Sequence, residues 1–355
     1  MPLDEVARCL IRHGCTDVSS DLDPCSCSQT PFARGGFGAI YRGSLKSGLF
    51  VVIKCIEVLG QWGVSDQSHK NLKRAAKELY AWTQSSHPGV LTLLGFARFK
   101  GQIALVSPWM SKGPLGRHLE HSLNPGHRIK LCIQIAQALE HVHSCEIVHG
   151  DVKPDNILLS DDNRAQLADF GSAILTGDFS LGFTRTACIF TLRFAAPELL
   201  DGTSEHTTQT DIYALAMTIL NVMTGKPPFS DKQSHAIIAE VLFKKNRPSR
   251  SDSLVLAGNE RMKDRLWGLL ERCWLHTPEG RPTAAEVSRI LVEIEREAHR
   301  PCSQPQGNVL DHSLSSQSQR NESITPSDDP FSLLLLWLLF LILPPFFCLL
   351  VVQVI

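Results

Sequence analysis

The sequence predicts an α+β fold made of two structural units, the first rich in strands and the second rich in helices. Runs of apolar and β-branched residues fall in the first third of the chain, at 49–56 and 103–110, and such runs favour strands. Apolar residues at helical spacing follow at 128–143 and 210–220. The length of 355 residues suits two units of about 150 residues each, with extra segments at the ends.

The composition excludes several classes of partner. Lys and Arg number 35 and Asp and Glu 36, so the overall charge gives no reason to expect nucleic-acid binding. The eleven cysteines lack the paired spacing of a zinc site. Because no signal peptide precedes them, we expect reduced thiols in a cytoplasmic protein.

The first segment, residues 1–29, is predicted to be a short helix followed by a loose lead-in. Ser, Asp, Pro and Cys dominate after the helix, which favours irregular structure. The helical spacing is carried by Leu3, Val6, Ala7, Leu10 and Ile11.

The next stretch, 31–43, is rich in glycine at Gly35, Gly36 and Gly38. Glycines let the backbone turn tightly and bring N–H groups against phosphate oxygens, and Phe37 at the tip could cover such a site from water. A simple hairpin turn is the alternative interpretation.

A strand predicted at 49–56 carries one cation, Lys54, among apolar residues. Burying a lysine is costly unless it is paired, so we expect a carboxylate partner. Glu78, within a helix predicted over 72–82, is the best candidate. The alternative for Glu78 is a solvated helix face.

The stretch 147–159 places polar residues between two apolar runs, which predicts a strand, a tight loop and a second strand. Asp151 on this loop can accept a proton from a hydroxyl, and the amide oxygen of Asn156 can bind a metal ion. A second carboxylate, Asp169, lies on a glycine-ended turn. A capped turn without catalytic function is the alternative for an isolated loop of this kind.

Together these stretches resemble the eukaryotic protein kinase family, in its tyrosine-kinase-like branch, over residues 30–298. The resemblance implies a two-lobed α+β protein kinase fold. The small strand-rich lobe would cover about 30–106, the hinge 107–110 and the larger helical lobe 111–298. It also implies that Arg281 pairs with Glu198.

The resemblance further implies use of ATP and Mg²⁺ and transfer of the γ-phosphoryl group to protein serine or threonine hydroxyls. Asp151 would be the catalytic base, Lys153 would neutralise the transferring group, and Asn156 and Asp169 would bind the metal. Thr191 would contact Asp151 and Lys153, and together with Lys153 it favours a serine or threonine acceptor. The residues implied in nucleotide binding are Ala33, Gly35, Gly36, Phe37, Gly38, Ile40, Lys54, Glu78, Ser107, Met110 and Asp169.

Four positions depart from the family pattern: Ala33, Val52, Gly150 and Phe190. The arginine usual at Gly150 binds a phosphate on the activation segment, so switching by phosphorylation is less expected here; Arg185 or Arg193 could supply charge instead. The departures support a pseudokinase scaffold as the alternative function. A small-molecule phosphotransferase is less consistent with the peptide-binding segment at 196–198.

Asp211, near the start of the helix predicted over 210–220, has two candidate structural roles. It could cap that helix, or it could anchor the backbone of the catalytic loop.

The end of the chain divides into a polar stretch, 299–330, and an apolar one, 331–355. The first is expected to be a flexible linker. The second, some 25 residues without charge, is long enough to cross a hydrocarbon core of about 30 Å and is interpreted as a C-terminal membrane anchor. Pro344 and Pro345 interrupt it, and a buried apolar tail is the alternative.

Overall fold

The computed structural model describes residues 3–12, 14–35, 38–55, 77–120, 123–176, 191–250 and 260–298. The strands are β1 (Ala33–Gly35), β2 (Gly38–Ser44), β3 (Phe50–Cys55), β4 (Gly95–Phe99), β5 (Gln102–Pro108), β6 (Ile147–Val148), β7 (Ile157–Leu159), β8 (Ala165–Leu167) and β9 (Ile174–Leu175). The helices are α1 (Leu3–Arg12), α2 (77–84), α3 (Pro125–Ser144), α4 (Pro197–Leu200), α5 (Thr208–Thr224), α6 (Ser234–Ile238), α7 (Glu260–Cys273) and α8 (Ala284–Ala298).

The predicted α+β fold with two lobes is confirmed. The first lobe is a five-stranded antiparallel sheet in the order β1-β2-β3-β5-β4. Alternation along β3 buries Val51, Ile53 and Cys55 in one apolar cluster and turns Lys54 to the opposite face. The register sets Lys54 between Ile40 on β2 and Leu105 on β5.

The expectation of a loose lead-in after α1 is wrong. Residues 14–30 pack against the sheet: Val18 donates its backbone N–H to Phe96 O at 2.9 Å, and Leu22 forms a bridge with Leu45. The side chains of Val18, Leu22 and Cys27 are buried in the same cluster as β3. Few apolar residues are enough here because the sheet already offers an apolar face.

The second lobe is organised around α3 and α5. Almost every residue of α5 is buried, because the helix is apolar on all sides and other elements surround it. Thr207 caps its N-terminus through a reciprocal bond pair with Thr210. Gly225 ends it at φ +74°, a left-handed conformation that glycine adopts without strain.

The loop that carries Asp151 lies between two separate antiparallel strand pairs. β6 pairs with β9, and β7 pairs with β8, so the two strands that flank the loop do not pair with each other. A 3₁₀ turn over Pro154–Asn156 leads into β7. The loop is therefore flanked by strands whose partners, β9 and β8, lie after and before Asp169.

The segments 299–330 and 331–355, interpreted as a linker and a membrane anchor, lie outside the described residues. Among the residues that are described, no helix is both long and apolar enough to cross a bilayer.

Candidate active site

Lys54 is the centre of an ion-pair network between the strands and α2. Its Nζ lies 2.6 Å from Glu78 Oε1 and 2.7 Å from Asp169 Oδ1. Burial alone would lower the pKa of Lys54, but the two carboxylates outweigh burial and raise it above its usual value. The predicted partner of Lys54 is thus present, and the cation is held charged at neutral pH.

Asp169 joins this network from a strained turn. Its φ of +65° is left-handed, which is uncommon for a residue other than glycine. Its carboxylate also accepts the backbone N–H of Gly171 at 3.4 Å. Burial tends to raise the pKa of Asp169, yet the Lys54 ammonium lowers it overall. The carboxylate therefore stays ionised, as a metal ligand must be.

The catalytic loop brings Asp151, Lys153 and Asn156 together. Lys153 Nζ donates to Asp151 Oδ2 at 2.7 Å, and Asn156 Nδ2 donates to the same oxygen at 2.7 Å. Thr191 Oγ1 bonds Lys153 Nζ at 2.8 Å and Asp151 Oδ1 at 3.2 Å. The segment that ends at α4 is thereby tied to the carboxylate predicted to be the base.

Asp211 anchors the backbone of this loop. Its two carboxylate oxygens accept the N–H groups of His149 and Gly150, each at 2.8 Å, and one of them lies 2.9 Å from His143 Nε2. Although burial opposes it, these bonds lower the pKa of Asp211. Of its two predicted structural roles, the geometry shows the loop anchor, since Thr207 caps the helix.

A column of aromatic rings, which the sequence did not reveal, connects α2 to the loop. The Trp82 ring stacks on Phe170 with centroids 6.1 Å apart, and Phe170 meets the His149 ring edge-on at 5.1 Å. Trp82 also donates its indole N–H to Leu91 O at 2.5 Å. The only sequence signal was the position of Trp82, one helical turn after Glu78.

The remaining residues predicted to bind nucleotide lie along the first lobe. Ala33 and Gly35 are on β1, and Gly38 and Ile40 are on β2. Ala33 does not have a positive φ, so a residue with a side chain fits there. Gly36 and Phe37 lie outside the described residues. Ser107 is buried near the end of β5, opposite Val52, and Met110 packs on the main core just beyond it.

Arg193 and Arg185 were the two residues that could supply positive charge in place of the arginine missing at Gly150. Arg193 donates to the backbone oxygens of Pro228, Phe229 and Lys232, so its charge is engaged in the second lobe. Arg185 lies outside the described residues.

Beside Gly150 a small cavity of about 20 Å³ is lined by Asp151, Thr191 and His206, among others. His206 Nε2 is buried there and has no hydrogen-bond partner among the described residues, and burial lowers the pKa of His206.

A buried ion pair joins α4 to the segment before α8. Arg281 donates to both carboxylate oxygens of Glu198, at 2.6 and 2.8 Å, as the family resemblance implied. Arg281 also bonds the backbone oxygens of Gln209 and Leu275. The pair thus fixes the platform that follows Thr191.

The strand-rich lobe carries Lys54 paired with Glu78. The helical lobe carries Asp151, Asn156 and Asp169, and Thr191 bonds both Asp151 and Lys153. Together these features define a protein kinase. The chain matches the protein kinase domain over residues 30–290. This is more than half of its length, and the chain belongs to the protein kinase family.

Curated relatives agree with this family and are much longer. The receptor-like kinase TMK4 of Arabidopsis thaliana is 29% identical over 277 residues, which cover 73% of this chain and 29% of the relative. The L-type lectin-domain containing receptor kinase I.3 of the same plant is 30% identical over 276 residues, covering 73% and 39%. The serine/threonine-protein kinase PknK of Mycobacterium bovis is 31% identical over 269 residues, covering 74% and 23%. The chain thus spans well under half of the length of these relatives.

Proposed function

We propose that this chain is an ATP- and Mg²⁺-dependent protein kinase that phosphorylates serine and threonine side chains. The observation that carries the proposal is the convergence of Lys54, Glu78 and Asp169 in one network, with Asp151 and Lys153 in a second one. The name of the PknK relative, a serine/threonine-protein kinase, supports the acceptor class.

In this proposal Asp151 orients the acceptor hydroxyl and accepts its proton. Asn156 and Thr191, which bond the Asp151 carboxylate, hold it in position. Lys153 places its positive charge beside the base and thus where the transferred group would meet the hydroxyl. Lys54, kept charged by Glu78, offers a cation to the phosphates of the nucleotide.

The oxygen donors of this site fit a magnesium ion. Asn156 uses its amide nitrogen to bond Asp151 O and Oδ2, so the amide oxygen is its acceptor atom. Asp169 contributes an ionised carboxylate. Carboxylate and amide oxygens are ligands that Mg²⁺ prefers, and the ion would neutralise phosphate charge when bound. We therefore assign Asn156 and Asp169 as the residues that would hold it.

The experiment compares the purified protein with Asp151→Asn. With ATP, Mg²⁺ and a generic protein substrate, we expect the variant to lose activity by about 100-fold or more, because it removes the proton acceptor. Asp155→Asn is the matched control, since Asp155 is exposed on the same loop and should keep wild-type activity. Phosphoamino-acid analysis of the product should yield phosphoserine and phosphothreonine.

Two outcomes would contradict the proposal. Wild-type incorporation no greater than that of Asp151→Asn would mean that no transfer occurs at this site. If ATP still bound tightly in that case, the pseudokinase scaffold would be the better assignment. Incorporation only into tyrosine would reject the acceptor class while keeping the phosphotransfer.

We also propose, from its hydropathy alone, that 331–355 anchors the protein to a membrane. The tagged full chain should remain in the pellet after carbonate washing, and deletion after Pro330 should release it to the supernatant. Release of the full chain by carbonate would reject the anchor.

A further inference from the structure

The segment before the kinase domain, residues 3–12 and 14–30, is called the N-terminal brace below. It forms a single parallel β-bridge, between Asp17 and Phe96, with the edge strand of the sheet: Phe96 N–H donates to Thr16 O at 2.9 Å, and Val18 N–H donates to Phe96 O at 2.9 Å. On the other side, Asp23 N–H donates to Ser44 O at 2.9 Å, and Ser28 N–H to Arg42 O at 2.8 Å. The brace therefore bonds β4 and β2 and spans the sheet between them.

The sheet is adapted to the brace at one position. Gly95 begins β4 with φ +149°, and a Cβ built on it would overlap the backbone oxygen of Thr16. A backbone oxygen cannot move aside as a flexible side chain can. Only glycine permits this approach, so the seat of the brace is a specific feature of β4.

The brace also contacts α2, the helix that carries Glu78. Cys15 Sγ lies 3.8 Å from Thr83 Oγ1, and Thr83 lies in the same short helix as Glu78. Ala7, Leu10 and Cys15 are buried in the core cluster that contains Leu79 and Trp82. One face of α2 thus meets the brace, another presents Glu78 to Lys54, and Trp82 stacks on Phe170.

We propose that the N-terminal brace is a positioning element for the Lys54–Glu78 pair. Its docking on β4 and α2 keeps Glu78 on Lys54 without a phosphorylated activation segment. The inference deepens the proposed kinase function and rests on it. It also gives a physical reason why the chain can have Gly150 at the position where related kinases use an arginine to sense phosphate.

Two matched pairs of full-length variants test the brace. Leu10→Asp places a charge on the buried face of α1, whereas Ile11→Asp places it on the next residue, whose side chain is 51% exposed. Gly95→Ala forces Thr16 away, whereas Gly101→Ala, in the same hairpin at φ +74°, has no atom of a described residue within 4 Å of its new Cβ. The second control carries the backbone strain of an alanine at positive φ but leaves the brace seated.

The measurements are amide hydrogen exchange of residues 77–84 and kcat/KM for ATP, at a temperature where every variant keeps its near-UV circular dichroism. For Leu10→Asp and Gly95→Ala we expect faster exchange in 77–84 and a loss of about 10-fold to 100-fold in kcat/KM, because Glu78 leaves its position. Ile11→Asp and Gly101→Ala should match the wild type in both measurements.

Equal exchange in 77–84 for both members of each pair would overturn the brace proposal, whatever the activities are. If the untreated wild type transfers no phosphate, the proposed function fails, and the exchange comparison still decides whether the brace positions α2. If phosphatase treatment alone abolishes transfer, the brace does not replace a phosphorylated activation segment, and that part of the proposal is overturned.

Discussion

At the scale of single residues, Asp211 shows how a carboxylate outside the proposed catalytic residues can position the loop that carries Asp151. It holds the backbone at His149 and Gly150, directly before the proposed base Asp151. A charged acceptor that satisfies buried N–H groups is difficult to replace, because each group left without a partner costs about 1–3 kcal/mol. Asp211 is thus a structural residue on which the catalytic geometry depends.

We predict that Asp211→Asn lowers the free energy of unfolding by about 1–3 kcal/mol at pH 7. The pKa of Asp211 is lowered in the folded state. Its contribution is therefore complete above the unfolded pKa of about 3.9 and is lost as the pH falls through the lower folded value. Urea titrations should show the difference between variant and wild type at pH 7 and a smaller difference below about pH 4. A difference that grows on acidification would contradict this assignment.

We predict that His206 makes the free energy of unfolding depend on pH in a higher pH range than Asp211 does. Burial lowers its pKa, a shift that the nearby Asp211 and Asp151 oppose and that His149 and Lys77 reinforce. Its contribution to stability is therefore present above about pH 6.5 and lost as the pH falls toward the folded-state pKa. His206→Gln should lose less stability than the wild type between pH 7 and pH 5. His235→Gln, at an exposed position, should follow the wild type.

At the scale of elements, the Glu198–Arg281 pair locks α4 onto the segment before α8. The Arg281 side chain of this pair is fully buried. We predict that Glu198→Ala or Arg281→Ala lowers the free energy of unfolding by about 3–5 kcal/mol, because each leaves an unpaired buried charge. The double variant Glu198→Ala/Arg281→Ala should lose clearly less than the sum of the single changes, because neither residue is then left buried without its partner. Strict additivity in this double-mutant cycle would mean that the pair does not interact as described.

Contacts between side chains that need a partner, or that a family motif specifies, were predictable from sequence. Lys54 in an apolar strand required a carboxylate, and the structure places Glu78 there. Thr191 near Asp151 followed from the family resemblance and is also present. The Lys54 prediction succeeded because burying a charge without compensation is costly wherever it occurs.

Elements whose position depends on surfaces made elsewhere were not predictable. Val18 and Leu22 lie four residues apart but stand among Ser, Asp and Pro residues that favour irregular structure, so the lead-in was expected to be loose. They are buried because the edge of β4 and the face of the sheet accept them. The Trp82–Phe170 stack is similar, since its rings come from different lobes and meet only in the folded chain.

At the scale of the whole molecule, the two lobes are joined through Lys54 on the strands and Asp169 on the helical side. A ligand that binds both should stabilise the folded state by about 2.7 kcal/mol when its concentration is 100 times Kd. We predict that ATP with Mg²⁺ raises the Tm of the wild type more than ATP alone. Asp169→Asn should lose the Mg²⁺-dependent part of this increase, which differential scanning calorimetry can measure. If Mg²⁺ raised the Tm of Asp169→Asn as much as that of the wild type, Asp169 would not be a metal ligand.

The bonds from Thr16 and Val18 to Phe96 have a practical consequence for anyone who expresses this protein. A fragment that begins at residue 30, where the family match begins, and ends at residue 298 would leave the outer strand of the sheet with unsatisfied backbone groups beside uncovered apolar side chains. Exposed strands of this kind recruit other chains into intermolecular sheets. The trimmed fragment should therefore scatter light and sediment as aggregates, whereas a fragment that begins at Met1 and ends at residue 298 should stay in solution.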